Sequence, residues 1–97
     1  MNLQTEAITL VQKEAIDNFS FPEQEVLSSA EEKAERKFRA EKAMKLGNYF
    51  KDKVKIIFED NEGMKMVETT VWGVTDKKVL LKRGITIPLY RISEIII

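Results

Sequence analysis

Apolar residues recur at the spacing of an α-helix along the first part of the chain. A period of about 3.6 residues places them on one face of an amphipathic helix over residues 4–17. Such a helix is expected to pack its apolar face against another part of the protein. The apolar positions that define it are Leu3, Ala7, Ile8, Val11, Ala15 and Phe19.

A second helix is predicted from its start signals. Ser20 with Glu23, and Ser28 or Ser29 with a glutamate three residues later, are competing capping boxes, so this helix begins at 21 or 29. It runs to about Leu46, where a Gly-Asn pair is expected to end it. Its predicted apolar stripe is narrow and alanine-rich, so little side chain is buried in its own domain. The stripe consists of Val26, Leu27, Ala30, Ala34 and Phe38.

After Lys53 the apolar period changes from about 3.6 to 2, which is typical of β-strands. The stretch "VKIIFED" is followed by a "DNEG" turn and by "MVETTVWGVT", in which Gly73 is expected to form a bulge or bend. Three shorter strands follow in "VLLK", in "ITI" and at residues 93–97. The alternation predicts an interior made by Val54, Ile56, Phe58, Val71, Val79, Leu81, Ile87, Ile92 and Ile95.

Five short strands in so few residues cannot form a sandwich, but they can close into a small bent barrel without exposed edges. The predicted fold class is therefore α+β, with N-terminal helices followed by a five-stranded antiparallel barrel. Residues 1–47 are predicted to form the helical segment and residues 48–97 the barrel. The barrel core is not expected to draw on residues 1–43.

The residues of the stretch "GITIPLYRI" are explained mainly by the turns and the strand that they form. Gly84 turns the chain, Ile85 and Ile87 point inward, and Pro88 ends the strand. Residues 89–91 then form a single tight helical turn before the last strand.

Composition excludes several kinds of chemistry. The chain has no cysteine and no histidine, which removes disulfides, thiolate and histidine metal sites, and Ser-His-Asp catalysis. No acid-base pair or phosphate-binding glycine loop is present, so we predict no enzyme activity, no cofactor, no metal and no small-molecule substrate. The acidic residues of the "DNEG" turn are explained by the hairpin. No stretch is long enough to span a membrane, and a cytoplasmic location is expected.

The net charge of zero conceals two opposite halves. Residues 1–35 contain eight acidic and two basic residues, a net charge of −6, and residues 36–97 carry +6. Most of the positive excess lies between Arg36 and Lys55. It could complement the helix dipole on a solvated face, or it could form a nucleic-acid patch.

The strand region resembles the SH3-like small barrels, and most of all the Sm-like branch that includes Hfq. The resemblance covers about residues 44–97 and implies the barrel fold, with RNA binding as a function of the family. Arg83-Gly84 resembles the base-contacting Arg-Gly pair of Sm proteins. Tyr90-Arg91 stands where Hfq-like proteins have Tyr-Lys-His. The matching positions are Val54, Asp60, Gly63, Asp76, Val79, Leu80, Leu81, Ile92 and Ile95.

Two hypotheses for function follow. The first is a non-enzymatic protein-interaction or assembly module, in which the second helix recruits a protein partner or a second copy to form a homo-oligomer. The second is an Sm-like protein that binds RNA or single-stranded DNA. Trp72 is expected in the core or in an interface. Tyr90-Arg91 either binds a nucleotide or covers the end of the barrel. The predicted nucleic-acid contacts are Lys45, Tyr49, Lys51, Lys53, Arg83, Tyr90 and Arg91.

Overall fold

The computed structural model describes residues 7–97. In this part of the chain one α-helix and seven β-strands form an α+β fold. The elements are β1 (Ile8–Leu10), α1 (Ala30–Phe50), β2 (Val54–Glu59), β3 (Met64–Thr69), β4 (Val71–Val74), β5 (Lys78–Leu81), β6 (Thr86–Pro88) and β7 (Ile92–Ile96). Short 3₁₀ turns occur at Lys13–Asn18, Lys82–Gly84 and Leu89–Arg91.

The strands form two sheets, so the prediction of a closed five-stranded barrel is wrong. One sheet has the strand order β1-β3-β2-β7, and the other has the order β4-β5-β6. The predicted long strand "MVETTVWGVT" is interrupted at Thr70, and its two parts, β3 and β4, belong to different sheets. The bulge expected at Gly73 is confirmed, because the pairing of β4 with β5 shifts register between Val71 and Gly73.

The predicted interior is confirmed. All nine strand residues expected inside are buried, as period-2 alternation requires. However, the same core also contains Ile16, Ala40 and Ala43, which precede the predicted strand region. The expectation that this core does not draw on residues 1–43 is therefore wrong, and the predicted boundary at residue 47 falls inside α1.

The first predicted helix is absent from the described residues that it covers. Residues 8–10 form β1, which pairs in parallel with Met64–Met66 of β3, and residues 13–18 form a 3₁₀ turn. Residues 4–6 lie outside the described range. The helical spacing was coincidental, since Ile8 and Leu10 are exposed while Ile16 is buried. β-Branched residues beside an open sheet edge favour the strand over the weak local helix signal.

The start of α1 agrees with one of the two predicted positions, but its end and its buried face do not. Ser29 caps α1 in a reciprocal capping box with Glu32. The helix continues through Gly47 to Phe50, and its buried residues are Arg36, Ala40, Ala43 and Gly47 rather than the predicted stripe. Val26 and Leu27 precede the helix, and Ala30, Ala34 and Phe38 are exposed. No helix in residues 7–97 has the length and apolar character needed to cross a membrane.

Two arginines of α1 cover the outer edge of β7. Arg36 donates to the carbonyl oxygen of Ile92 at 3.0 Å, and Arg39 donates to that of Ile95 at 3.2 Å. Arg36 also forms a bidentate pair with Glu25, with Nη–Oε distances of 2.6 and 2.7 Å. These bonds satisfy edge carbonyl groups and tie the segment before α1 to the helix.

We expect this pair to make stability depend on acid pH. The hydrogen bond from Arg36 lowers the pKa of Glu25 from 4.5 to about 2. Because the folded pKa is depressed, the stabilisation is complete above about pH 4.5 and is lost as the pH falls toward 2. Allowing for solvent screening, the contribution is roughly 1–2 kcal/mol. Urea unfolding of wild type and Glu25→Gln should show this difference at pH 7 and a much smaller one near pH 2; a constant difference would contradict the assignment.

Candidate functional site

Lysines from three separate segments converge on one depression of the surface. It has a volume of about 320 Å³ and lies between the first 3₁₀ turn, the α1–β2 connection and the junction of β3 with β4. Lys13, Lys51, Lys53 and Lys82 line it, and Glu68 is the only acidic residue among its lining residues. The remaining lining residues are Gln12, Thr69, Thr70 and Trp72.

A second depression of about 390 Å³ adjoins the first. The two share Gln12, Lys53 and Glu68, and the second adds Lys55 and the exposed Leu10. We call the two depressions together the lysine groove. Among the residues that the structure describes, five lysines and one glutamate line it, and Lys13 is also paired with Glu14 at 3.2 Å, so its local charge is positive although the chain as a whole is neutral.

Lys51 is placed by the way in which α1 ends. Its backbone is left-handed, with φ 58° and ψ 29°, and its N–H donates to the carbonyl oxygen of Gly47. This bond is the one that closes the αL type of helix ending, and the N–H of Asp52 also donates to the carbonyl oxygen of Leu46. Glycine usually occupies such a position, and lysine there is uncommon. This geometry brings the Lys51 ammonium to 5.4 Å from the centre of the Trp72 ring.

Trp72 gives the groove an aromatic wall. It is half-buried rather than enclosed in the core, and it lines the groove beside Lys51. Its indole Nε1 is buried and has no hydrogen-bond partner among the described residues. Buried indole N–H groups usually have a partner, so this donor is an exception.

The predicted nucleic-acid residues separate into groups in the structure. Lys51 and Lys53 lie in the lysine groove. Lys45 and Tyr49 are exposed on α1, and Arg83 is exposed on the turn before β6 in a left-handed conformation with φ 67°. The groove lining does not include any of these last three residues.

In the Tyr90-Arg91 pair, Arg91 has a structural role. Arg91 is buried, and its guanidinium donates to the carbonyl oxygens of Glu59 at 2.9 Å, Gln24 at 2.8 Å and Asp60 at 3.4 Å. Tyr90 is half-buried, and its carbonyl oxygen accepts from the N–H of Val26. With its guanidinium enclosed and satisfied, Arg91 does not belong to the proposed surface.

The acidic turn between β2 and β3 forms the predicted hairpin. Asp60 is buried and accepts hydrogen bonds from the N–H groups of Glu62 and Gly63 and from the ammonium of Lys65, the last at 2.8–2.9 Å. Burial by itself raises the pKa of Asp60, but these hydrogen bonds outweigh it and the pKa is lowered. The carboxylate is therefore committed to the turn and to Lys65.

Sequence reasoning missed Lys13, Lys82 and Trp72 as members of one site, and it named Lys55 only as the end of the basic stretch that begins at Arg36. Lys13 and Lys82 are 69 positions apart in the chain, so no local motif contains both of them. The only local signal was the basic stretch around Lys51. The rest of the groove is assembled by the packing of the N-terminal segment and the β5–β6 turn near the end of α1.

The fold and the groove define a small α+β protein with two sheets, one flanking helix and a basic surface groove. No protein family, curated protein or solved structure matches this chain. The resemblance to Sm-like barrels stays a hypothesis that rests on the matching positions in the sequence.

Proposed function

We propose that this protein binds single-stranded nucleic acid, RNA or DNA, through the lysine groove. The observation that carries the proposal is the convergence of five lysines, from three distant parts of the chain, on a groove that contains one glutamate. Lysine ammonium groups contact phosphate oxygens regardless of base sequence, so the expected binding has little sequence preference.

The aromatic residues around the groove favour a single strand over a duplex. Trp72 forms part of the wall, and Phe50, which immediately precedes Lys51, is 69% exposed. Bases of a single strand can stack on such rings while the phosphates follow the lysines, whereas paired bases are not available for stacking. A duplex is also too stiff to follow a small concave groove.

Binding is expected to be strongly salt-dependent. If all five lysines contact phosphates, the slope of log affinity against log salt is about −3.5 for a single strand. Affinity for a fluorescent oligothymidylate should then fall about 100-fold between roughly 50 and 200 mM salt. Fluorescence anisotropy over this range measures the slope. A slope near zero, or no binding at the low-salt end, would contradict the proposal.

Two left-handed cationic positions offer a matched pair of variants. Glycine is favoured where φ is positive, so Lys51→Gly and Arg83→Gly should both keep or improve folding stability. Each variant removes one positive charge, but only Lys51 lies in the groove. We expect Lys51→Gly to weaken binding about 5- to 10-fold and to reduce the salt slope by about 0.7, and Arg83→Gly to have a much smaller effect.

Reversing the charge of two groove lysines in one variant tests the groove more severely. Lys51→Glu with Lys53→Glu should abolish measurable binding, because four units of charge change inside the groove. Lys77→Glu with Lys78→Glu, exposed at the end of the β4–β5 turn and the start of β5, makes the same change in net charge elsewhere. Equal losses from both pairs would show that only net charge matters and would overturn the groove as the site.

The interaction-module hypothesis concerns a different surface, the outward face of α1. It does not depend on nucleic-acid binding.

A further inference from the structure

α1 exposes large aromatic side chains on the side away from the sheets. Phe38 is 62% exposed and Tyr49 is 78% exposed. The residues of α1 that face the protein are Arg36, Ala40, Ala43 and Gly47, and the helical period places Phe38 and Tyr49 on the opposite side. Exposed aromatic residues on a helix that already has a buried face indicate a contact surface.

The same outward face has opposite charge at its two ends. Glu31 and Glu35 lie in its N-terminal half, and Lys42 and Lys45 lie in its C-terminal half. Small residues also occupy only the first half, where Ala30 and Ala34 are exposed. The face is therefore acidic and shallow at one end and basic and bulky at the other.

We infer that α1 pairs with α1 of a second copy of this chain in an antiparallel, two-fold symmetric dimer. With the symmetry axis between residues 39 and 40, Ala34 of one copy faces Lys45 of the other, and Ala30 faces Tyr49. Each small residue then receives a large one, and Phe38 lies near the axis, where its counterpart from the other copy also lies. Such an interface is self-complementary, as a two-fold axis requires.

The distribution of charge along α1 favours pairing with a second copy of the chain in the antiparallel orientation. The acidic half of each helix lies against the basic half of the other, which brings Glu31 and Glu35 toward Lys42 and Lys45. A parallel pair would place like charges together and is disfavoured. The interface is limited to one helix face about 30 Å long, so we expect dissociation in the micromolar range rather than an obligate dimer.

The mass in solution tests the self-association. Sedimentation equilibrium at low and high micromolar concentration should show a monomer–dimer transition that Phe38→Glu abolishes. Leu10→Glu is the matched control, because Leu10 is 71% exposed but lies on β1. A wild-type chain that remains monomeric, or a dimer that survives Phe38→Glu, would overturn the inference.

Single cysteines test the orientation, because the natural chain has none. The two copies of residue 41 are offset by about 4.5 Å along the helix axes in the antiparallel dimer, and the two copies of residue 34 by about 17 Å. Glu41→Cys should therefore form a cross-linked dimer under mild oxidation, and Ala34→Cys should not. Efficient cross-linking of both variants would indicate parallel helices, and cross-linking of neither would exclude this interface; both results overturn the inference.

A charge exchange provides a positive test. Lys42→Glu with Lys45→Glu makes both halves of the face acidic, and Glu31→Lys with Glu35→Lys makes both halves basic apart from Glu41 near the axis. Each variant alone should be monomeric, and an equimolar mixture should form a heterodimer. Glu35 and Arg39 form an exposed pair, so its loss is expected to leave the fold intact, which circular dichroism checks. A mixture that stays monomeric would contradict the pairing.

Discussion

Replacing Gly47 with alanine is expected to lower the free energy of unfolding by about 2–3 kcal/mol. Gly47 is buried where α1 crosses the junction of β3 and β4. A β-carbon at this position would lie well inside contact distance of the carbonyl oxygen of Val71 and 2.8 Å from the methyl group of Thr70. The carbonyl belongs to the backbone of β4, so the clash is relieved only if the helix or the strand moves.

The sign of this effect is opposite to that of helix propensity. At an exposed helical position, glycine to alanine stabilises a helix by about 1 kcal/mol. The adjacent exposed residue provides the control, because Asn48→Ala should change stability only slightly. Urea unfolding of the two variants at one pH measures the difference. A Gly47→Ala protein as stable as wild type would mean that α1 does not approach β4 this closely.

The second large effect is expected from Arg91→Ala, with a loss of about 3–4 kcal/mol of folding stability. The substitution removes the guanidinium that donates to the carbonyl oxygens of Glu59, Gln24 and Asp60. It leaves a cavity and unsatisfied acceptors where the β2–β3 turn meets the segment before α1. Buried carbonyl groups without partners are costly because water does not replace the lost donor.

Arg91→Lys separates the structural role from a role in nucleic-acid binding. Lysine keeps the positive charge but cannot reach three carbonyl oxygens with fixed geometry, so we expect it to lose a large part of the same stability. Denaturant unfolding gives the stabilities, and anisotropy gives the binding of the folded fraction. An Arg91→Ala protein with wild-type stability and no oligonucleotide binding would indicate that Arg91 contacts the oligonucleotide. That result would contradict the structural role assigned to Arg91.

The strand region was largely predictable because its signals are local. Alternation identifies the inward face of a strand whatever sheet the strand joins, and so Val54, Ile56 and Ile87 were placed correctly. The "DNEG" hairpin and the turn at Gly84, with φ 76°, depend on short-range backbone geometry. The Ser29 capping box is equally local.

The candidate site was predictable only in part. Lys51 and Lys53 belong to a basic stretch that is visible in the sequence, whereas Lys13 and Lys82 stand among unrelated residues. Arg91 shows the converse failure. An arginine next to a tyrosine resembles a nucleic-acid contact, but burial and three carbonyl acceptors make it a structural residue.

Period and turn chemistry in the sequence determined most strand positions after Lys53 and their inward faces, and limited the N-terminus of α1 to two positions, because each of these depends on neighbours within a few residues. Only the tertiary structure decided how strands are shared between sheets, which face of α1 is buried and which lysines meet. Those outcomes depend on contacts between distant segments. Gly47 illustrates the difference: by local propensity it ends a helix, but in the fold it is the residue that lets the helix lie against β4.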